Sequence, residues 1–298
     1  MHENTGGSAI PSHTDPSSGL NSAAAAPVDS PVRRISVLVI AIVLSALVFR
    51  ATIPFVSSTR GVVGPTIADA GRPALAIVAV VIAFAVTVAI SALVARLVNS
   101  IVGVFALGCG VGYLAMRSGN VADFAFAQSS IRAGAIELVA WTALVAAGCH
   151  FVFKVGGALP DVPATGEDDL DAPAGKAARG SWLTVIAGIA VAAFAAASIT
   201  KGQAIGAAVL AGFVTGGLGR MFAPRTTPVY LAAVPVAAMA LVYLFYGFTV
   251  PADLAESFVG GSLPRILRIM PLDAVAGSLC GTALGFGFMR SFAIPQED

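Results

Sequence analysis

Charge is scarce in this sequence. Asp, Glu, Lys and Arg make up 11% of its 298 residues, where a soluble domain carries about a quarter. So few charges cannot cover a water-facing surface, and 57% of the residues are hydrophobic. With a mean hydropathy of +0.88, the solvent left for this chain is lipid. The net charge is +1. That offers no basic field to nucleic acid and no attraction to a strongly acidic partner.

Chemistry-bearing residues are also few. Of three histidines, His2 and His13 lie in a polar tail, and the remaining His150 excludes a histidine-based metal site within one chain. The three cysteines, Cys109, Cys149 and Cys280, are scattered through apolar runs. They read as small core residues rather than a disulfide framework or a metal centre. Cys149 and His150 are adjacent, and neighbours on a helix point about 100° apart, so they form no nucleophile–base pair. There is no G-x-S-x-G, no H-E-x-x-H and no Walker A run. The string from Gly108 to Gly112 lacks the G-x-G-x-x-G spacing and sits inside an apolar run. The sequence therefore predicts no catalytic residue, no cofactor and no metal, and a protein that is not an enzyme.

What is present is a succession of long apolar runs. Residues 1–34 are rich in Ser, Ala, Pro and Gly, too polar to fold alone, and predict a disordered tail. The pair Arg33-Arg34 comes late for a signal peptide, and no A-x-A-like cleavage site follows a short apolar core. Residues 35–56 then predict a first span, interrupted by Arg50, whose long side chain can snorkel to the interface. Residues 73–95 and 97–116 are uncharged. Arg96 and the turn signal Asn99-Ser100 separate them into a hairpin. Residues 133–153 supply a fourth span.

A hydrophilic segment, 156–181, holds Pro160, Pro163 and Pro173 and the acids Glu167, Asp168, Asp169 and Asp171. It reads as a linker. Four more runs follow, at 180–200, 202–219, 226–252 and 274–289. The prediction is an all-α integral membrane protein of about eight transmembrane helices. It divides into a four-helix block at 35–155, the linker, a second block at 182–290 and a short tail at 291–298. Seven spans result if the Arg50-interrupted segment does not cross. Alternating segments of about ten residues, the mark of a β-barrel, are missing.

The two blocks resemble each other. Arg132, four residues, Glu137, one residue and Val139-Ala140 matches Arg268, four residues, Asp273, one residue and Val275-Ala276. Upstream, Ala122-Asp123-Phe124-Ala125 matches Ala252-Asp253-Leu254-Ala255. A charged pair at identical spacing is harder to obtain by accident than shared alanines. Four spans per copy is an even number, which predicts a parallel 4+4 duplication about an axis along the membrane normal. The 17 basic residues split nine to eight between the two sides, so only Arg33-Arg34 favours cytoplasmic termini. The setting this implies is a bacterial inner membrane.

Glu137 and Asp273 are the candidate functional residues, with Arg132 and Arg268 beside them on an ion, proton or substrate path. A carboxylate within a span costs a few kcal/mol to insert, so such residues tend to be kept for ion or proton traffic. The structural alternative is a carboxylate in a first helical turn, stabilised by the helix dipole; Pro271 marks such a start. Gly277, Gly281 and Gly285 form a small-residue row on the last span, as Gly212 and Gly216 do on the sixth and Gly108 and Gly112 on the third. Such rows let helices approach closely, within the chain or onto another copy or another membrane protein. Residues 251–271 predict a short amphipathic helix on the membrane surface. Two functions suit these features. One is a small-solute or ion permease using Glu137 and Asp273. The other is a non-catalytic structural or accessory subunit of a membrane complex.

Overall fold

The computed structural model describes residues 31–59, 61–127, 129–157, 174–223, 226–250 and 253–289, with residues 174–181 as backbone only. Residues 1–30 of the expected disordered tail, residues 158–173 of the acidic linker and the C-terminal tail fall outside the described residues; residues 31–34 and 174–181, expected in the tail and the linker, are helical. The chain folds as α1 Pro31–Val56, α2 Pro73–Leu97, α3 Ser100–Arg117, α4 Val121–Phe126, α5 Ile131–Gly156, α6 Ala174–Ala195, α7 Lys201–Phe222, α8 Pro228–Thr249, α9 Leu254–Val259 and α10 Pro271–Met289. Two 3-10 turns, Ile67–Asp69 and Arg265–Arg268, complete it. The described residues contain no strand beyond one isolated bridge between Ser57 and Val63.

Seven helices, α1, α2, α3, α5, α7, α8 and α10, are long and apolar enough to cross a membrane. They run 18–26 residues, or ~27–39 Å at ~1.5 Å per residue, against a hydrocarbon layer of ~30 Å. Large apolar side chains such as Leu47, Ile82, Val139 and Phe245 are more than half exposed. In water such a surface would aggregate; against lipid it is solvated.

Local chemistry sets the helix boundaries. α1 runs through Arg50 without a break and is already helical at Pro31, the first residue described, ahead of the expected residue 35. Asn99 divides α2 from α3, its Oδ1 accepting from Val102 N at 2.8 Å. α6 ends at Ala195, short of the expected 200. There Gln203 reaches back, its Oε1 accepting from Ser198 N at 3.0 Å and its Nε2 donating to Ala195 O at 2.9 Å.

The apolar part of α6, Trp182–Ala195, is shorter than the seven spans. It lies along α7, where a Cβ on Gly188 would meet Ala211 O at 2.7 Å, and just after α6 Arg268 binds the carbonyls of Ala196 and Ala197.

Element order recurs in the two halves. Three long helices, a six-residue helix and a fourth long helix appear as α1–α5 and again as α6–α10. The packing is reciprocal. α5 lies along α8, α10 lies along α3, and α4 meets α9, where Phe126 and Phe258 pack edge to face at 5.8 Å.

The tightest seam joins α7 to α10. A Cβ on Gly277 would strike Ala208, and one on Gly281 would strike Val209 O and, at 2.7 Å, Phe213 N. One on Gly285 would meet Phe213 O at 2.6 Å and Gly217 N at 2.7 Å. Lipid tails are as apolar as these side chains, so close dispersion contact rather than hydrophobic burial holds the helices together. This corrects one expectation. The row Gly277, Gly281 and Gly285 is buried against α7 of the same chain, so it is not a surface for a second protein.

Residues 253–270 also differ from expectation. Leu263, Ile266 and Leu267 are buried, so this segment packs into the end of the bundle instead of lying flat on a membrane surface.

Candidate functional site

The connections α1–α2, α3–α5, α6–α7 and α8–α10 gather at one end of the bundle. The first folds back on itself. Ser57 pairs with Val63, and Asp69 Oδ2 accepts from Thr66 Oγ1 at 2.7 Å and Thr66 N at 3.2 Å. Asp69 Oδ1 accepts from Ser129 Oγ at 2.8 Å, which ties this loop to the approach to α5. Ile67 is thereby buried, and its N–H points at Glu137, nearly two turns into α5.

Glu137 Oε2 accepts from Ile67 N at 2.9 Å. Its other oxygen, Oε1, is buried, as is Nε1 of Trp141 one turn further on; the indole acts on the carboxylate, but neither atom has a well-formed hydrogen bond among the described residues. A buried polar atom left unpaired costs ~1–3 kcal/mol, more when charged. Asp69 lies close enough to act electrostatically on Glu137. Beside the Ile67 loop a cavity of about 10 Å3, walled by Val56, Val63, Thr66, Leu114 and Leu272, is the size of a single water.

Asp273 sits in the first turn of α10 and is fully buried. Its Oδ2 accepts from Met270 N at 3.2 Å, an N-terminal carboxylate reaching back to satisfy an orphan donor. Its main partner comes from far away in the chain. Lys201, the first residue of α7, places Nζ 2.9 Å from Oδ1 and 3.1 Å from Oδ2. The same ammonium donates to Gly119 O at 2.8 Å, at the end of α3. One lysine thus joins three helix ends.

Tyr243 of α8 lies between the acids. Its hydroxyl donates to Ile269 O at 2.7 Å, and its ring is where a Cβ on Gly134 of α5 would land, at 3.0 Å. Both Glu137 and Asp273 act electrostatically on it. The fold therefore brings the two sequence-predicted carboxylates to one region, with Lys201 on only one of them.

The two arginines go elsewhere. Arg132 Nε donates to Gly247 O at 3.1 Å, and its guanidinium lies 4.7 Å from the Phe248 ring centre. Arg268 donates to Ala197 O, and to Ala196 O at 3.5 Å. Both satisfy carbonyls at helix C-termini, α8 and α6, where the dipole favours a cation. Neither touches Glu137 or Asp273.

Lys201, Ile67, Asp69 and Tyr243 carry no local sequence signal for this site. Lys201 reads as one more loop charge until the fold sets it against Asp273. Cys109 and Cys280 also meet, Sγ to Sγ at 4.0 Å, because Gly108 lets α3 and α10 approach.

The fold and this cluster define a multi-pass α-helical membrane protein with buried ionisable groups at one end of the bundle. No family model, no curated protein and no solved structure matches the chain.

Proposed function

We propose that this chain is a bacterial inner-membrane permease for protons or small cations, not an enzyme, with Glu137 as the group that takes up the ion. The observation that carries this reading is that Glu137, inside α5, has no cation beside it among the described residues, while Oε1 meets only the Trp141 indole. A carboxylate kept inside a span without a countercharge suits a group that binds and releases a cation.

The repeated element order and the reciprocal packing support a parallel duplication about an axis near α5 and α10. In that scheme Glu137 and Asp273 are equivalent positions, each held by the connection between the first two helices of its own half. One copy gained Lys201 and became a structural ion pair; the other kept an unneutralised acid.

The test is proton uptake into proteoliposomes under an imposed diffusion potential, followed with an internal pH dye. The wild type and Glu137→Asp are expected to carry protons above empty liposomes, and Glu137→Gln to fall to their level while remaining folded. Wild-type vesicles indistinguishable from empty ones would overturn the permease reading.

A further inference from the structure

The two halves differ in how their first helix packs. α1 lies against both α2 and α3, whereas α6 lies along α7 and meets α8 only sparsely. The gap left between α6 and α8 is a cleft of about 380 Å3, within the ~300–1,000 Å3 range of small-ligand sites. Ile189 and Ala193 of α6, Leu241, Val242, Phe245 and Tyr246 of α8, and Ile266 of the second 3-10 turn line it. Leu241 and Phe245 are more than half exposed, so the cleft opens sideways into lipid. An empty cleft would forfeit dispersion contacts along both helices.

One end of the cleft is marked by charge. Ile266 is flanked by Arg265, which is exposed and makes no hydrogen bond or ion pair among the described residues. Two residues further, Arg268 is engaged with the carbonyls ending α6. An apolar cleft between about one turn of α6 and one of α8, with the exposed Arg265 next in the chain to its wall residue Ile266, has the chemistry to take part of a phospholipid: methylenes in the cleft, a phosphate beside the guanidinium.

We propose that the α6–α8 cleft holds an acyl chain of one anionic phospholipid whose phosphate pairs with Arg265. This is independent of the permease reading, since none of these residues belongs to the Glu137 cluster. The ligand is a membrane lipid, and zwitterionic lipid of the same chain length is the control.

The experiment is native mass spectrometry of the full chain in mild detergent, titrated separately with phosphatidylglycerol and phosphatidylcholine of matched chains. The expected result is one phosphatidylglycerol retained under activation that strips phosphatidylcholine. Ala193→Phe and Val242→Phe, which fill the slot from opposite walls, each abolish that retention; if one fails to fold, the other carries the test. Arg265→Gln lowers phosphatidylglycerol to the phosphatidylcholine level. Equal retention of both lipids by the wild type would overturn the proposal. So would undiminished phosphatidylglycerol on a folded slot-filling variant, or on Arg265→Gln.

Discussion

Lys201 and Asp273 stand 72 residues apart in the chain and 2.9 Å apart from nitrogen to oxygen, with Asp273 fully buried and Lys201 only 15% exposed. Removing one member of such a pair leaves an uncompensated charge, which costs roughly 3–5 kcal/mol, whereas replacing both by apolar groups is often close to neutral. Lys201→Met and Asp273→Leu are each expected to lower thermal stability in detergent strongly. The double variant is expected to recover most of the loss. A double variant whose loss equals the sum of the singles would show that the two residues act independently.

The α7–α10 seam makes a sharper steric test. At Gly281 a methyl group would meet Val209 O and Phe213 N, both backbone atoms that cannot swing aside. Overpacking of this kind costs ~1–3 kcal/mol, so Gly281→Ala is expected to lower the melting temperature in detergent. Gly287 lies on the same helix, and a methyl group there would have no described neighbour within 4 Å. Gly287→Ala is therefore expected to be neutral or slightly stabilising. Equal effects at the two sites would contradict the packing.

Helix direction is open to labelling. Single cysteines at the exposed positions Val62, Ile199 and Ser262 all lie in connections at the Glu137 end. Thr227, between α7 and α8, lies at the opposite end. With Cys109, Cys149 and Cys280 replaced by serine, an impermeant maleimide applied to sealed vesicles of one orientation is expected to label the first three or Thr227, never a mixture. Labelling of Ile199 together with Thr227 would mean that α7 does not cross.

Much of this bundle is visible in the amino-acid sequence, because breaks in hydropathy are local. The uncharged runs, the Asn99 turn and the proline starts at Pro73, Pro228 and Pro271 are each set by a few neighbouring residues. Glu137 and Asp273 also stand out in the sequence, each at the same spacing from an arginine, Arg132 and Arg268. The partners are another matter. Lys201 meets Asp273 only because α7 and α10 pack closely along their glycines. Ile67 reaches Glu137 only because the α1–α2 connection doubles back on Ser57 and Val63. The two arginines show the same limit from the other side: regular spacing marks them, yet their hydrogen bonds go to the carbonyls that end α8 and α6. Contacts of this range depend on the whole arrangement, and no local pattern encodes them.

The central contrast is between Asp273, which Lys201 neutralises, and Glu137, which has no cation beside it among the described residues. Labelling with a membrane-permeant carbodiimide tests it most directly. The reagent adds across a protonated carboxyl, and rearrangement leaves a stable N-acylurea whose mass gain can be mapped by peptide mass spectrometry. The expected result is modification of Glu137 with Asp273 untouched, and modification of Asp273 only once Lys201→Met has removed its partner. Asp273 modified as readily as Glu137 in the wild type would contradict the division of roles between them.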